Sequence, residues 1–370
     1  MRGISHAQYG QPTSASTHVE PIEYLRGCTR GVLVQLAGFG DLILALPAID
    51  NLRAFFPAIR WTVVTRFPNR AILRNRVEDV RTLPWPPDVF HFPTLVKEVL
   101  RLRRDRFDCA LHLYNIPSFR GAIAMKTFFM SMRPGLSIGR VSPYRCSPFD
   151  ISWDETQSVS PHEIDLNLGM LRSLGVRSLV NVPSVSPDGD LVMQMSLLLK
   201  KQFPSVTQVV AIFPGGTQAV NRWAVTNYGT LAMMLSQEGL GVCVLGGQAE
   251  EHAARKIVEM AGKNAVSLAG HLSLEEVMAL LSVVSIYVGN SSGPTHLAAA
   301  LGIPCIGLFR AGDVHRFRPR GPGLIRVLHS RVECTACKGI NKGRHICLET
   351  LPIEVVFKAL MDMRSASPRN

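Results

Sequence analysis

The sequence has no uninterrupted apolar run of the roughly 18 residues that a membrane-spanning helix needs, so we expect no such segment. Its first residues also lack the short apolar core of a secretory signal, which favours a cytoplasmic protein. Cysteine is sparse, with 8 in 370 residues, and this excludes a fold held together by disulfides. Three of the cysteines nevertheless lie close together, at Cys334, Cys337 and Cys347.

Acidic residues are scarce as well, with 28 Asp and Glu against 40 Lys and Arg, which gives a formal net charge of +12. An excess of this sign favours an anionic partner, such as nucleic acid, an acidic membrane surface or a phosphorylated substrate. The chain shows neither interleaved aromatic and basic side chains nor a nucleic-acid motif, so nucleic acid is the least favoured of the three. At 46% apolar residues, the chain is expected to form a large packed core.

Short apolar segments alternate with helical ones on both sides of a Pro- and Ser-rich stretch at 181–190. This alternation is typical of βαβ units with parallel sheets covered on both faces. It predicts an α/β protein of two doubly wound domains, at 28–185 and 186–352, with a ligand cleft between them. A loose leader over 1–27 precedes them, and a helix and tail over 353–370 follow. Strands are predicted at 32–36, 60–65, 108–114, 208–213, 241–246, 265–269, 284–289 and 303–309.

The first candidate catalytic residue follows the first predicted strand, where the chain turns through Gly38 and Gly40 to Asp41. In a doubly wound sheet, the carboxyl ends of the strands open onto the ligand crevice. Asp41 can therefore be a helix-capping carboxylate, contributing about 1 kcal/mol. It can also be a general base that takes a proton from an acceptor hydroxyl, an effect of about 10²–10⁴-fold in rate. The glycine spacing is not that of a nicotinamide dinucleotide site.

A second motif, at 213–229, runs from a strand through a glycine pair into a helix. Gly215 and Gly216 allow backbone N–H groups to approach an oxyanion, and Thr217 adds a hydroxyl donor. Arg222 can contact a phosphate through its guanidinium. The alternative is a simple turn with Trp223 in the core.

A third motif, at 289–309, has a loop of small residues between a strand and a helix. The free N–H groups and the dipole of that helix form a site suited to a diphosphate. The alternative for His296 is a histidine that only packs. The candidate ligand-binding residues here are Ser291, Ser292, Gly293, Pro294, Thr295 and His296.

The spacing of Cys334, Cys337 and Cys347, with His345 beside the last, resembles that of metal ligands. A tetrahedral site needs four ligands, and His345 is too near Cys347 in the sequence to be a suitable fourth ligand. The two alternatives for this segment are therefore a site that binds zinc or iron and a loop of reduced thiols.

Taken together and in this order, the motifs resemble glycosyltransferase family 9, the ADP-heptose lipopolysaccharide heptosyltransferases and their relatives. The resemblance runs from about residue 30 to 360. It implies the GT-B architecture, in which two Rossmann-like domains face each other across a cleft. The nucleotide sugar would bind mainly the C-terminal domain and the acceptor the N-terminal one, and the last helix would cross back.

The resemblance also implies an inverting transfer that needs no metal, with Asp41 as the base. Backbone N–H groups of 292–295 and Thr217 would hold the diphosphate, and Glu250 would hydrogen-bond a ribose. The implied donor is a nucleoside-diphosphate sugar such as ADP-heptose. The implied acceptor is lipopolysaccharide or another glycan, glycolipid or protein, reached at the inner face of the cytoplasmic membrane.

Two positions depart from the family pattern. Asn221 stands where members usually have Lys, and Ser291 stands where they usually have Asp. Both fall in the donor pocket, and they favour as an alternative a non-catalytic module that binds nucleotide sugars. A further alternative is a heptosyltransferase that acts on proteins and holds a metal through its cysteines, with Cys305 or Cys146 as a fourth ligand.

Overall fold

A computed structural model describes residues 20–85, 91–116, 118–140, 148–177, 179–216, 218–329 and 348–366. The described chain forms two lobes, each built on a six-stranded parallel sheet. The predicted doubly wound architecture is confirmed.

The N-terminal lobe has the strand order β3-β2-β1-β4-β5-β6. Its chain reverses direction across the sheet between β1 and β4, which is the topological switch point. Its strands are β1 (Arg30–Val34), β2 (Arg60–Arg66), β3 (Asp79–Leu83), β4 (Cys109–His112), β5 (Leu136–Arg140) and β6 (Ile151–Trp153). Its helices are α1 (Pro21–Arg26), α2 (Phe39–Phe55), α3 (Phe92–Arg104), α4 (Phe119–Met132) and α5 (Glu163–Ser173).

The C-terminal lobe repeats this order as β9-β8-β7-β10-β11-β12, with its switch point between β7 and β10. Its strands are β7 (Val209–Phe213), β8 (Gly241–Val244), β9 (Ala265–Ser267), β10 (Ile286–Asn290), β11 (Cys305–Leu308) and β12 (Ile325–Leu328). Its helices are α6 (Gly189–Gln202), α7 (Val225–Gln237), α8 (Glu251–Ala261), α9 (Leu274–Val283), α10 (Gly293–Ala300), α11 (Val314–Phe317) and α12 (Ile353–Ala366). The last helix packs its buried side chains, such as Val356 and Leu360, into the core of this lobe.

The two lobes pack directly against each other through α2 and α10. One apolar cluster contains residues of both helices, for example Leu46 and Ala298, so the core is continuous across the boundary. Two glycines near the helix starts approach each other closely. A Cβ atom added at Gly40 would lie 2.9 Å from Cα of Gly293. Any side chain at residue 40 would therefore meet backbone of the other lobe.

Ion pairs link the lobes beside this helix contact. Glu163, at the start of α5, is buried and pairs with Arg140 of its own lobe and with Arg316 of the C-terminal lobe. Arg320 makes two 2.7 Å hydrogen bonds to Asp165. Some of the excess basic residues thus pair with acidic residues of the same chain.

No helix in the described part of the chain is both long enough and apolar enough to cross a membrane.

The glycine contact generates a first prediction. Alanine normally favours a helix over glycine by about 1 kcal/mol, yet Gly40→Ala should lower the free energy of unfolding by about 1–3 kcal/mol, because the lobes must separate. Gly189→Ala, at the start of α6, is the matched control, since a Cβ there meets nothing within 4 Å. Urea unfolding of both variants is the measurement. If Gly40→Ala is as stable as Gly189→Ala, the helix contact is not tight.

Candidate active site

The carboxyl ends of the four central strands, β1 and β4 of one lobe and β7 and β10 of the other, meet between the lobes. Switch points are where doubly wound sheets bind ligands, and here two of them face each other. A cavity of about 320 Å³ lies at this place. Its described lining consists of Gly38, Phe39, Gly40, Asp41, Tyr114, Gln218, Asn221, Ser291, Ser292, Gly293, His296 and Phe317.

Eight of the residues singled out in the sequence therefore line one cavity: Gly38, Gly40, Asp41, Asn221, Ser291, Ser292, Gly293 and His296. The sequence analysis missed Phe39, Tyr114, Gln218 and Phe317. Tyr114 lies two residues after β4, so the rule that pointed to Asp41 would also have found it. Phe317 comes from α11, and no motif in the sequence marks it.

Asp41 lies in the first turn of α2, whose N-cap is Gly38. The backbone N–H groups of Gly38 and Asp41 and the Tyr114 hydroxyl favour the charged form of its carboxylate and lower its pKa. Burial is the main reason that the pKa of Asp41 rises to about 6, and the negative charge of Glu163 adds to it. The carboxylate thus lies in the first turn of the helix and lines the cavity, and it is ionised at neutral pH while remaining a usable base.

Tyr114 lines the same cavity, and its hydroxyl favours the charged form of Asp41 and so lowers the pKa of that carboxyl. Burial and the charge of Asp41 raise the pKa of Tyr114, so its hydroxyl keeps its proton and remains a donor.

The opposite wall of the cavity is the start of α10. Its N-cap is Ser292, whose side chain does not cap the helix but donates to the Asn290 carbonyl oxygen at 2.9 Å. In the first turn, Pro294 has no N–H, and the Thr295 and His296 N–H groups donate to the Ser292 carbonyl oxygen at 3.1 and 3.4 Å. The Gly293 N–H is therefore the donor that this helix start presents without a side-chain cap. Such a helix start favours anions.

Asn290 holds this wall in place through all the hydrogen bonds that its amide can make. Its NH₂ group donates to the carbonyl oxygens of Pro214 and Gly215 at 2.8 and 3.0 Å. Its oxygen accepts from Trp223 N and Tyr228 OH at 3.0 and 2.9 Å. Fully buried, it joins the loop after β7 to the loop after β10, although the sequence analysis did not single it out.

His296 is almost fully buried where α10 meets α2, and its Nδ1 atom has no hydrogen-bond partner. Burial, with His162 nearby, lowers the pKa of His296 to about 4. The imidazole is therefore neutral at physiological pH, and the residue lines the cavity.

Other candidates lie beside this cavity and support its loops. The Glu250 side chain fills the space over Gly215 and Gly246 and accepts the Gly247 N–H at 2.9 Å. Arg222 donates from Nε to the Gly216 carbonyl oxygen at 2.8 Å and is otherwise exposed.

Two further candidates belong to the first turn of α10. The Thr295 hydroxyl donates to the Asn290 carbonyl oxygen at 2.6 Å. Pro294 is buried in the first turn of α10. Thr217 lies outside the described residues.

A second cavity, of about 270 Å³, adjoins the first through Tyr114, which lines both. It belongs to the N-terminal lobe and has a largely apolar lining with a few polar groups. Among its lining residues are Trp85, His112, Asn115 and Met125. A ligand group there would lie on the Asp41 side of the site.

The predicted cysteine cluster, Cys334, Cys337 and Cys347, lies outside the described residues, as does Cys146. Cys305, the other suggested ligand, is buried in β11 as a free thiol. The described ranges contain no group of three or more His, Cys, Asp or Glu side chains arranged to hold a metal ion. The metal site stays a prediction.

Comparisons with known proteins agree with one another. The model of glycosyltransferase family 9 (heptosyltransferase) matches residues 97–345. Lipopolysaccharide heptosyltransferase 2 of Salmonella typhimurium is 32% identical, over 73% of this chain and 79% of that protein. The lipopolysaccharide core heptosyltransferase OpsX of Haemophilus influenzae is 22% identical, over 78% and 80%.

Among solved structures, the ADP-heptose LPS heptosyltransferase II of E. coli superposes with a TM-score of 0.73 at 19% identity. The superposition covers 91% of this chain and 99% of that one. The shared fold supports the GT-B architecture that the motifs implied.

The Asn290 network generates a second prediction. Asn290→Ala should lower the free energy of unfolding by several kcal/mol, because each buried group left unpaired costs about 1–3 kcal/mol. The control is Asn264→Ala, which removes one 3.4 Å hydrogen bond to Ser236 and should cost about 0.5 kcal/mol or less. Equal unfolding midpoints in urea would show that the network is not essential.

The raised pKa of Asp41 generates a third prediction, on stability. The folded pKa of about 6 exceeds the ordinary 3.8, so ionisation opposes folding. Wild type should therefore lose stability relative to Asp41→Asn as pH rises from 3.8 to about 6, with a constant difference above that. Unfolding free energies across this range are the measurement.

Asp154→Asn is the control, since hydrogen bonding to Thr156 lowers the pKa of Asp154. That substitution should cost stability at neutral pH and lose its effect as the solution becomes acidic. If Asp41→Asn follows the same pattern as Asp154→Asn, Asp41 is not desolvated.

Proposed function

This chain belongs to glycosyltransferase family 9, and on that premise we propose that it transfers a heptose or related sugar from ADP-heptose, or a similar donor, to a lipopolysaccharide or other surface-glycan acceptor. The relatives named above, which are lipopolysaccharide heptosyltransferases, support this choice of substrates. The observation that carries the proposal is that Asp41 of one lobe and the start of α10 of the other face the same cavity.

We propose that the reaction inverts the anomeric centre. Asp41 takes the proton of the acceptor hydroxyl while that oxygen forms a bond to the anomeric carbon. On the opposite side of that carbon, the bond to the diphosphate oxygen breaks, and the nucleoside diphosphate leaves with the electron pair. A retaining double displacement would need a second group as the nucleophile, and Asp41 is the single carboxylate in the described lining.

The leaving diphosphate would be held by the start of α10. The Gly293 N–H, the helix dipole and the Ser291 hydroxyl lie on the wall opposite Asp41 and can act on the diphosphate. These groups can stabilise the developing charge without a divalent cation. The neutral His296 can add one ring N–H donor. We therefore propose a transfer that requires no metal.

The two substrates would reach the cavity from different lobes. The nucleoside would lie over the carboxyl ends of β7 and β8, where Glu250 can bond a ribose hydroxyl. The acceptor sugar would occupy the second cavity, on the Asp41 side. The Oδ1 atom of Asn221 is buried and has no hydrogen-bond partner. This side chain would contact the donor as a neutral group, at the position where members of the family usually have Lys.

The proposal generates a fourth prediction, on activity. With ADP-heptose and a delipidated inner-core oligosaccharide, Asp41→Asn should lower kcat by about 10²–10⁴-fold and leave donor affinity in calorimetry unchanged. For wild type, kcat/KM should decrease as the pH is lowered below about 6, because the base must be ionised.

The control variant Asp154→Asn should have the same kcat and donor affinity as wild type. Unchanged turnover in Asp41→Asn would exclude this base, and donor binding without turnover in wild type would favour a binding module.

A further inference from the structure

Two neighbouring helices of the N-terminal lobe, α3 and α4, expose large apolar side chains to solvent. Both helices already bury one face against the sheet, for example through Leu102 and Phe128. Outside that buried face, further apolar residues recur four positions apart, at Phe92, Val96 and Leu100 on α3 and at Phe119 and Ile123 on α4, with Met130 near the end of α4. Phe92 and Phe119 are both 56% exposed. We call the exposed side of these two helices the helix-pair face.

The same face is strongly basic. Its exposed cations are Lys97, Arg101, Arg103, Arg104, Arg120, Lys126 and Arg133. The only acid within the two helices is Glu98, which pairs with Arg101. Long basic side chains beside exposed aromatic and aliphatic ones are the composition of helices that lie in a membrane interface.

The helix-pair face is continuous with the proposed site. Ser118, Gly121 and Met125, in the cap and first turns of α4, line the second cavity, and Phe119 lies between them in the chain. Tyr114 connects that cavity to Asp41. An amphiphile held at the helix-pair face would therefore have its polar end near the second cavity.

We propose that the helix-pair face docks on an anionic lipid bilayer. The apolar side chains enter the headgroup boundary, and the lysines and arginines pair with lipid phosphates. Docking would bring the glycan of a lipid-linked acceptor to the second cavity while its acyl chains stay in the bilayer. This consequence rests on the proposed function.

A second copy of the chain suits this face less well than a bilayer does. A two-fold interface would place the same patch on both partners, so two patches that each carry seven cations and one acid would face each other. Anionic lipid removes that repulsion. The positive charge of the helix-pair face, in addition to its apolar area, therefore favours an anionic bilayer over a second copy of the chain.

Flotation of the full chain with vesicles tests the proposal. We expect binding to mixed phosphatidylglycerol and phosphatidylcholine vesicles, much weaker binding to pure phosphatidylcholine, and weakening by salt. Phe92→Ser with Ile123→Ser should reduce binding on the order of tenfold, because two apolar contacts are lost. Lys97→Gln with Lys126→Gln should have an effect of similar size, since each cation near an anionic surface contributes about 1 kcal/mol.

Helix α6 of the other lobe offers matched controls, because it also exposes Met193, Leu197, Lys200 and Lys201. Met193→Ser with Leu197→Ser, and Lys200→Gln with Lys201→Gln, should leave vesicle binding unchanged. All variants should transfer sugar to the delipidated acceptor as wild type does, so a failure of docking is distinguishable from a failure of the proposed function.

Three results would overturn the proposal. The first is absence of binding to anionic vesicles. The second is binding that the α6 variants reduce as much as the helix-pair variants do. The third is a change from dimer to monomer in light scattering when Phe92 and Ile123 are replaced, which would identify a second copy as the occupant.

Discussion

The close packing of the start of α2 on the start of α10 is the contact on which the site depends. Because Gly40 has no side chain, its backbone approaches that of Gly293, and the missing side chain of Gly293 leaves room for the Phe39 ring. This approach places a carboxylate of one lobe and the uncapped Gly293 N–H of the other on facing walls of one cavity. Neither lobe alone has both walls, so the chemistry requires the contact between them.

The same packing sets the electrostatics. Burial between the lobes raises the pKa of Asp41 although two backbone N–H groups and the Tyr114 hydroxyl stabilise its charge. Glu163 adds negative charge nearby, and it is retained in the interior because Arg140 and Arg316 pair with it from the two lobes. The ion pairs of Glu163 thus also keep its negative charge near Asp41, although Glu163 is not among the residues that line the cavity.

The sequence predicted the central strands and the turns that follow them, because buried parallel strands are continuous apolar runs. It did not predict β3, β5, β6 and β12, in which polar residues or glycine interrupt the apolar ones, and all of these except β5 lie at sheet edges. Nor did it indicate the interlobe pairs, since residues about 150 positions apart, such as Asp165 and Arg320, show no local pattern. Asp41 and the 291–296 loop were found because both follow a strand directly, whereas Phe317 comes from a short helix with no motif.

The central claim is that Asp41 and the start of α10 act on the same bound donor from opposite walls. A crystal structure of the chain with a non-hydrolysable nucleoside-diphosphate sugar tests it most directly. We expect a phosphate oxygen within hydrogen-bond distance of the Gly293 nitrogen and the anomeric carbon between that phosphate and the Asp41 carboxylate. A diphosphate bound away from α10, or a sugar with Asp41 on the same side as the leaving oxygen, would contradict the account.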